Sequence, residues 1–427
     1  SGDRVVSRRA VLGGAAVGVV GACVTPALAA YARNSPAKAP ASRESVHDVA
    51  SRLDRKLVEL RRDVHRHPEI AGEEQRTAGV VAKWLRTAGL DVTTGVGGHG
   101  VVGVLTGARR GRTVAYRADM DAVPPDGQIP GGRGAAHVCG HDIHTAVGVG
   151  VALVLARLRH WLSGTVVFVF QPAEETLTGA AAMLADGVFA DNRPEEIHAL
   201  HCGPFPVGQF VVTPGNGLPG QDRGVITLTG PDAGARARLL SDGIDALGTV
   251  SPPATSADLE RLVADIQRPH GPLTRFVFMR TRVSETSAGA EVQVTYRCWP
   301  ENQHVKIRRA IHRLARQVDA ASVVFPNDPF PAMVVPQRDG RALRRYLERT
   351  IGSERTGTAY AAIPFSGEDF ALFLDRMPGT YTFLGVRAPG AAVETSYPHF
   401  GAFDPDERAI GHGVRAMAGW LATRAHD

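Results

Sequence analysis

The stretch HTAVGVGVALVLARLRHWLSGTVVFVFQPAEE (His144–Glu175) decides the fold. Its first part, His144–Leu162, reads as a helix, and GTVVFVFQ (Gly164–Gln171) reads as a short β-branched strand. The same alternation continues on both sides. GVVGVLTG (Gly100–Gly107) and RTVAYRAD (Arg112–Asp119) precede it as strands. TGAAAMLADGVF (Thr178–Phe189) follows as a helix and EIHALHCG (Glu196–Gly203) as a strand. Apolar strands alternating with helices predict an α/β fold whose mostly parallel sheet is covered by helices. Two amphipathic helices are expected upstream. One covers Ser45–Glu69, with apolar spacing through Val49, Leu53, Leu57, Leu60 and Val64 and a stop at Pro68. The other covers Glu73–Leu90 and is closed by Gly89.

From about Asp222 to Ala332 the texture changes to alternating strands mixed with helices, as in FVFMRTRVSETSAGAEVQVTYRCW (Phe276–Trp299) and HVKIRRAIHRLARQV (His304–Val318). This predicts a compact α+β insertion over 222–332 within a main domain formed by 46–221 and 333–427. The main domain ends in a helix over Glu407–Ala425, and no internal repeat occurs.

The chain has 427 residues, of which 44% are hydrophobic and 21% charged, proportions typical of a globular protein. The surplus of 48 Lys+Arg over 43 Asp+Glu lies partly near the N-terminus and partly on helices. No basic stripe interleaved with aromatics occurs, which argues against nucleic acid as a partner. SRRAVLGGAAVGVVGACVTPALAA (Ser7–Ala30) places Arg8 and Arg9 before a weakly apolar run too short to span a bilayer. That pattern predicts a twin-arginine export signal over 1–30, and hence a secreted or envelope-associated protein. Two exits compete: cleavage before Ala30, or lipidation of Cys23, which would tether the protein to a membrane. A Pro/Ala/Ser-rich linker is expected over 31–45.

Chemistry-bearing residues gather at the carboxyl ends of the strands, where ligands bind in open α/β sheets. Asp119 and Asp121 follow one strand, Glu174 and Glu175 another, and His201 stands at the end of a third. Cys139 and His141 are expected in the loop before the long helix. With Cys23 set aside, Cys139, Cys202 and Cys298 form no disulfide framework. A lone local cysteine likewise does not make a structural zinc knot. Thiolate, imidazole and carboxylate together suit Zn²⁺, or Mn²⁺, Co²⁺ and Ni²⁺ when carboxylates contribute. One of the paired glutamates can bind metal while its neighbour stays free as a base.

In order along the chain occur LRRDVHRHPEIAGEE, RADMDAVP, HVCGHDIHT, GTVVFVFQPAEE, HALHCGPFPVG, FSGEDF and HFGAFDPDE. Together they resemble the aminoacylase/hippurate hydrolase branch of the dinuclear metallopeptidases, which includes the indole-acetyl-amino-acid amidohydrolases. The resemblance implies two divalent ions, Mn²⁺ or Zn²⁺ before Co²⁺ or Ni²⁺, on Cys139, His141, Glu175, His201 and His399. It implies Glu174 as general base and later proton donor, and Asp119 and Asp121 as groups that orient ligand histidines. Arg297 would meet a substrate carboxylate. The substrate implied is an N-acyl amino acid or related small amide, with the insertion as a lid or dimerisation-type domain through which a homodimer is built. Dipeptide carboxypeptidase activity at the same metal site is the alternative, and a catalytically weakened binding protein on the same fold is another. The last arises because LTGPDAGARARLLSDG (Leu228–Gly243) stands where that branch carries a lid histidine. His137 and His144 are expected to hydrogen-bond or cap rather than ligate, and Asp142, Glu368 and Asp369 to be supporting residues.

Overall fold

The computed structural model describes residues 44–427; the expected export signal, Cys23 and most of the linker lie outside the described residues. Helices α1 (Val46–His65) and α2 (Gln75–Thr87) precede β1 (Asp91–Val96), β2 (Gly100–Thr106) and β3 (Arg109–Asp119). Then come α3 (His141–Arg157), β4 (Ser163–Gln171), α4 (Gly179–Ala185), β5 (Glu196–Pro206), β6 (Phe210–Val212) and β7 (Gly217–Leu218). The middle of the chain forms β8 (Asp222–Thr229), α5 (Ala233–Asp245), α6 (Ser256–Ile266), β9 (Phe276–Thr286), β10 (Gly289–Trp299), α7 (His304–Gln317) and β11 (Ser322–Val324). It closes with β12 (Met333–Val334), α8 (Gln337–Ile351), β13 (Thr356–Thr358), α9 (Ala371–Leu374), β14 (Gly379–Arg387) and α10 (Arg408–His426).

The large sheet has eight strands in the order β1-β2-β4-β3-β5-β14-β6-β13. Its centre, β4-β3-β5-β14, is parallel, while β1-β2-β4 and β14-β6 pair antiparallel. Both faces are covered, so the central strands are apolar at successive positions. In β4, Val166, Phe168 and Phe170 join the core under α1, α2, α3 and α10, whereas Val167 and Val169 join the core on the opposite face. A second sheet, β11-β8-β10-β9, is antiparallel throughout. One of its faces packs Ile226, Leu228, Val292, Val294 and Tyr296 against α5 and α7. Helix α6, although it lies between α5 and β9 in sequence, places Leu259, Leu262, Val263 and Ile266 in a core of the large sheet. The carbonyl of Ile266 accepts from the Tyr360 amide at 2.8 Å, and Glu260 pairs with Arg387 at 2.6 Å.

Local chemistry moves several boundaries from their expected positions. Ser45 and Asp48 form a capping box that starts α1. The long helix begins at His141, not His144, because Gly140 adopts φ 91° and turns the loop directly into the first helical residue. It stops at Arg157, and Leu158–Leu162 continues as a tight turn. Strand β5 runs on to Pro206, so His201 lies within it rather than at its end.

Helix α3 is buried all round, and its glycines mark where neighbours come closest. A β-carbon on Gly148 would lie 2.9 Å from Phe170 Cε1, against the sheet. One on Gly150 would lie 2.5 Å from Val414 Cγ2 and 2.7 Å from Leu57 Cδ1, between α10 and α1. Alanine favours a helix interior over glycine by about 1 kcal/mol. Gly150→Ala is nevertheless expected to destabilise the protein by about 1–3 kcal/mol in urea denaturation, because overpacking outweighs propensity. A gain in stability would show that α1 and α10 can yield.

Candidate metal centre

Asp119 is the last residue of β3, and Asp121 follows two positions on; both are fully buried. Strand β4 ends at Gln171, and the chain turns at once through Ala173, held at φ 54° with its amide donating to Glu74 Oε1 at 2.8 Å. The turn delivers Glu174 and Glu175. His399 is also held at a positive φ, 71°, by hydrogen bonds from its amide to the Val138 carbonyl and from the Ile129 amide to its own. Left-handed backbone at non-glycine residues costs free energy and marks positions fixed by their surroundings.

These elements bring the donor atoms together. Cys139 Sγ, His141 and Glu175 each offer an atom within 4.8 Å of the others, as do Asp119, His141, His144 and His201. His141 Nδ1 faces Asp121 Oδ1 at 3.3 Å. Its Nε2 lies 3.7 Å from Glu175 Oε1, 3.8 Å from Glu174 Oε2 and 3.7 Å from Asp119 Oδ2. His201 donates from Nδ1 to the Cys202 carbonyl at 2.8 Å, which turns the Nε2 lone pair toward Cys139 Sγ at 3.6 Å. His399 donates from Nδ1 to the Gly127 carbonyl at 2.9 Å and sets Nε2 3.3 Å from Glu175 Oε2. His144 has both nitrogens engaged, Nδ1 with Asp119 Oδ1 at 2.5 Å and Nε2 with the Cys202 amide at 2.8 Å. It supports the site rather than offering a free donor. His137 is buried behind the loop, and Asp142 is held by Arg61 at 2.7 Å and His65 at 2.8 Å.

His141 Nε2 and Glu175 Oε1 are buried without a hydrogen-bond partner. Such orphaned groups are costly unless something occupies the space between them. A metal–sulfur bond of about 2.3 Å and a metal–nitrogen bond of about 2.1 Å at a tetrahedral angle place the two donors about 3.6 Å apart. Cys139 Sγ and His201 Nε2 stand at that separation, 3.6 Å. The residues fit a divalent cation.

Charge leads to the same conclusion. Asp119, Asp121, Glu174, Glu368 and Asp369 are buried, and Glu175 nearly so. The fixed cation among them is Arg117, wholly buried in β3, which sequence reading missed. Its guanidinium binds Asp119 at 2.6 Å, Glu368 at 2.8 Å, Asp369 at 3.2 Å and Gln171 at 2.8 Å. An arginine inside an otherwise apolar strand must find acid partners, and that was the available signal.

One guanidinium does not balance this many carboxylates, and the rest distort the titration of their neighbours. Burial, with Glu368 and Glu175 adding to it, pushes Glu174 well above the usual carboxylate range. Burial alone would lower His141, but Asp119, Asp121 and Glu175 raise it to about 10. Burial and the Glu175, Glu174 and Asp119 charges push the Cys139 thiol up, while burial and His144 keep His201 neutral. A cation between these groups would reverse the first three effects.

Arg297 reaches in from β10. Its Nη2 donates to Gln221 Oε1 at 2.7 Å, and its Nη1 is buried without a partner beside Gly367, where a β-carbon would lie 2.4 Å from it. Burial first, and then Arg223, lowers it to about 10, with Glu174 acting in the opposite sense. Cys202 and Cys298 are buried and form no disulfide; Cys202 supports the donor set through its backbone, while its thiol lies against the Gly140 carbonyl.

The family model for peptidase family M20/M25/M40 matches residues 115–423. An N-acetylcysteine deacetylase of Bacillus subtilis is 31% identical over 83% of this chain and 93% of its own. A thermostable carboxypeptidase 1 of Saccharolobus solfataricus is 29% identical over 85% of this chain and 93% of its own. A solved dinuclear metal-binding peptidase of family M20, from Bacillus subtilis, superposes with a TM-score of 0.65 at 26% identity, covering 87% of this chain and 98% of its own.

Replacing Arg117 by Met removes the cation shared by Asp119, Glu368 and Asp369. In protein freed of metal by chelation, Arg117→Met is expected to lose about 3–5 kcal/mol of stability, the cost of leaving buried charges unpaired. Urea denaturation measures it, and a loss below about 1 kcal/mol would mean that the carboxylates simply take up protons.

Proposed function

The chain belongs to peptidase family M20/M25/M40, a family of metal-dependent hydrolases of amide bonds, and on that basis we propose that it removes the acyl group from N-acyl amino acids or related small amides. The observation that carries the reading is the donor set of Cys139, His141 and Glu175, in which His141 Nε2 and Glu175 Oε1 are orphaned, with Glu174 Oε2 3.8 Å from His141 Nε2. The names of the relatives, among them deacetylases for N-acetylcysteine and N-acetyldiaminopimelate, support the choice of substrate.

In this reading Cys139, His141, Glu175, His201 and His399 hold two divalent ions, Mn²⁺ or Zn²⁺ before Co²⁺ or Ni²⁺. The ions supply Lewis acidity and a water of lowered pKa. Asp121 orients His141 through Nδ1, while Asp119 fixes His144 and, through it, the strand carrying His201. Glu174 takes a proton from the attacking water and returns it to the departing nitrogen. Arg297, with Nη1 free, receives the carboxylate of the leaving amino acid. Export by the twin-arginine route belongs to the same reading and rests on Arg8, Arg9 and the apolar run after them. Cleavage before Ala30 and lipidation of Cys23 remain its two endings.

A panel of N-acyl amino acids and dipeptides, assayed with added Mn²⁺, Co²⁺ or Zn²⁺, tests the proposal. Hydrolysis of N-acyl amino acids is expected, whereas turnover of dipeptides alone would favour a carboxypeptidase. Glu174→Gln is expected to lower kcat by about 10²–10⁴-fold with metal retained. Metal analysis is expected to find two ions per chain, and at most one in Cys139→Ala. Full metal loading without turnover of any amide would refute the enzyme, and two ions in Cys139→Ala would refute the thiolate ligand.

A further inference from the structure

The four-stranded sheet has one face against α5 and α7 and one face free of helices. Because side chains alternate along a strand, register assigns each residue to a face. Arg297 and Phe278 are paired across β10 and β9 on the free face. That face looks toward the centre just described, since Arg297 abuts Gly367 and the Phe278 ring lies 5.1 Å from the Phe365 ring. Two residues along β10, Thr295 is flanked by Arg223 of β8 on one side and Arg280 of β9 on the other. In the next row Gln293 pairs with Arg282.

Four arginines, Arg297, Arg223, Arg280 and Arg282, therefore share one face and lead outward from Glu174. Among the described residues none of them has an acidic partner within ion-pair distance. The helix-covered face of the same sheet is different: Asp222 binds Arg308 at 2.7 Å, and Glu285 binds Arg238. Charges are thus paired where helices cover the sheet and left unpaired where it faces the cleft. Uncompensated like charges on neighbouring strands disfavour the fold and make the face attractive to an anion. Rows two residues apart are separated by about 7 Å, and Arg223 and Arg280 stand about 10 Å apart across two strand spacings. Those spacings suit a carboxylate beyond the one received at Arg297. Glu291 is the acid on this face, and it lies three rows from Arg297, at the far end of β10.

We propose that the Arg223–Arg280 row is a second anion subsite, which directs the enzyme to amides whose leaving amino acid carries an additional carboxylate, as in N-acyl derivatives of glutamate or aspartate. The inference rests on the amidohydrolase reading of the site.

The test compares N-acetylalanine with N-acetylglutamate. Dissociation constants are measured by calorimetry on the metal-loaded, full-length Glu174→Gln protein, and kcat/KM on the wild type, at low and at physiological ionic strength. N-acetylglutamate is expected to bind at least about fivefold more tightly at low salt, with the ratio shrinking as salt rises. Adding Arg223→Gln and Arg280→Gln to the same background should bring the ratio close to one. A wild-type ratio near one, or a preference that survives loss of both arginines, overturns the inference. If N-acetylalanine is hydrolysed well and the ratio is one, the proposed function stands and the subsite falls. If no amide is hydrolysed, the proposed function falls, and the ratio of dissociation constants still decides the subsite.

Discussion

A guanidinium sealed from water, Arg117, sets the terms on which the rest of the centre exists. It ties the end of β3 to Glu368 and Asp369, which arrive from the far end of the chain, and so closes the floor of the cleft with one positive charge. The donor set above that floor carries surplus negative charge. Two kinds of cation can offset it: protons, on His141 and Glu174, or divalent ions between the donors that are otherwise orphaned. Metal uptake at such a site is an exchange of protons for metal at roughly constant charge. The arrangement also explains why a thiol sits there. Cys139 is a poor thiolate in a buried acidic pocket and becomes a good one only beside a cation.

The same economy of charge accounts for the backbone. Ala173 and His399 occupy left-handed conformations held by contacts from outside their own segments. Glu74, the residue before α2, receives the Ala173 amide, and the Gly127 carbonyl fixes the His399 ring from a different loop. Precise placement of donors is achieved by contacts drawn from distant parts of the sequence.

Much of this was legible in the chain, for identifiable reasons. Strands β3, β4 and β5 announce themselves because burial on both faces leaves them apolar at successive positions. The donors stand out because thiol, imidazole and carboxylate cluster where such strands end. The extent of β5 was not legible, because CGPFP carries no more strand signal than a loop and is held by pairing with β14. The start of α3 depends on Gly140, whose positive φ is a tertiary choice. Arg117 stood out only as a charge in an apolar strand: apart from Asp119, its acid partners lie 251 and 252 residues away, and no local pattern reports contacts at that distance. The row formed by Arg223 and Arg280 needs the register of three strands before it exists at all.

Helix α6 has a mechanical consequence. It interrupts the stretch that builds the small sheet, yet it is cemented into the core of the large one. The chain consequently crosses between the two bodies four times: into β8, out through 246–255, back through 267–275, and out again after β11. A body carried on two joints swings about the axis through them, whereas four joints that do not share an axis resist rotation. The sheet bearing Arg297 is thus joined to the large sheet by four stretches of chain, two of them anchored by α6.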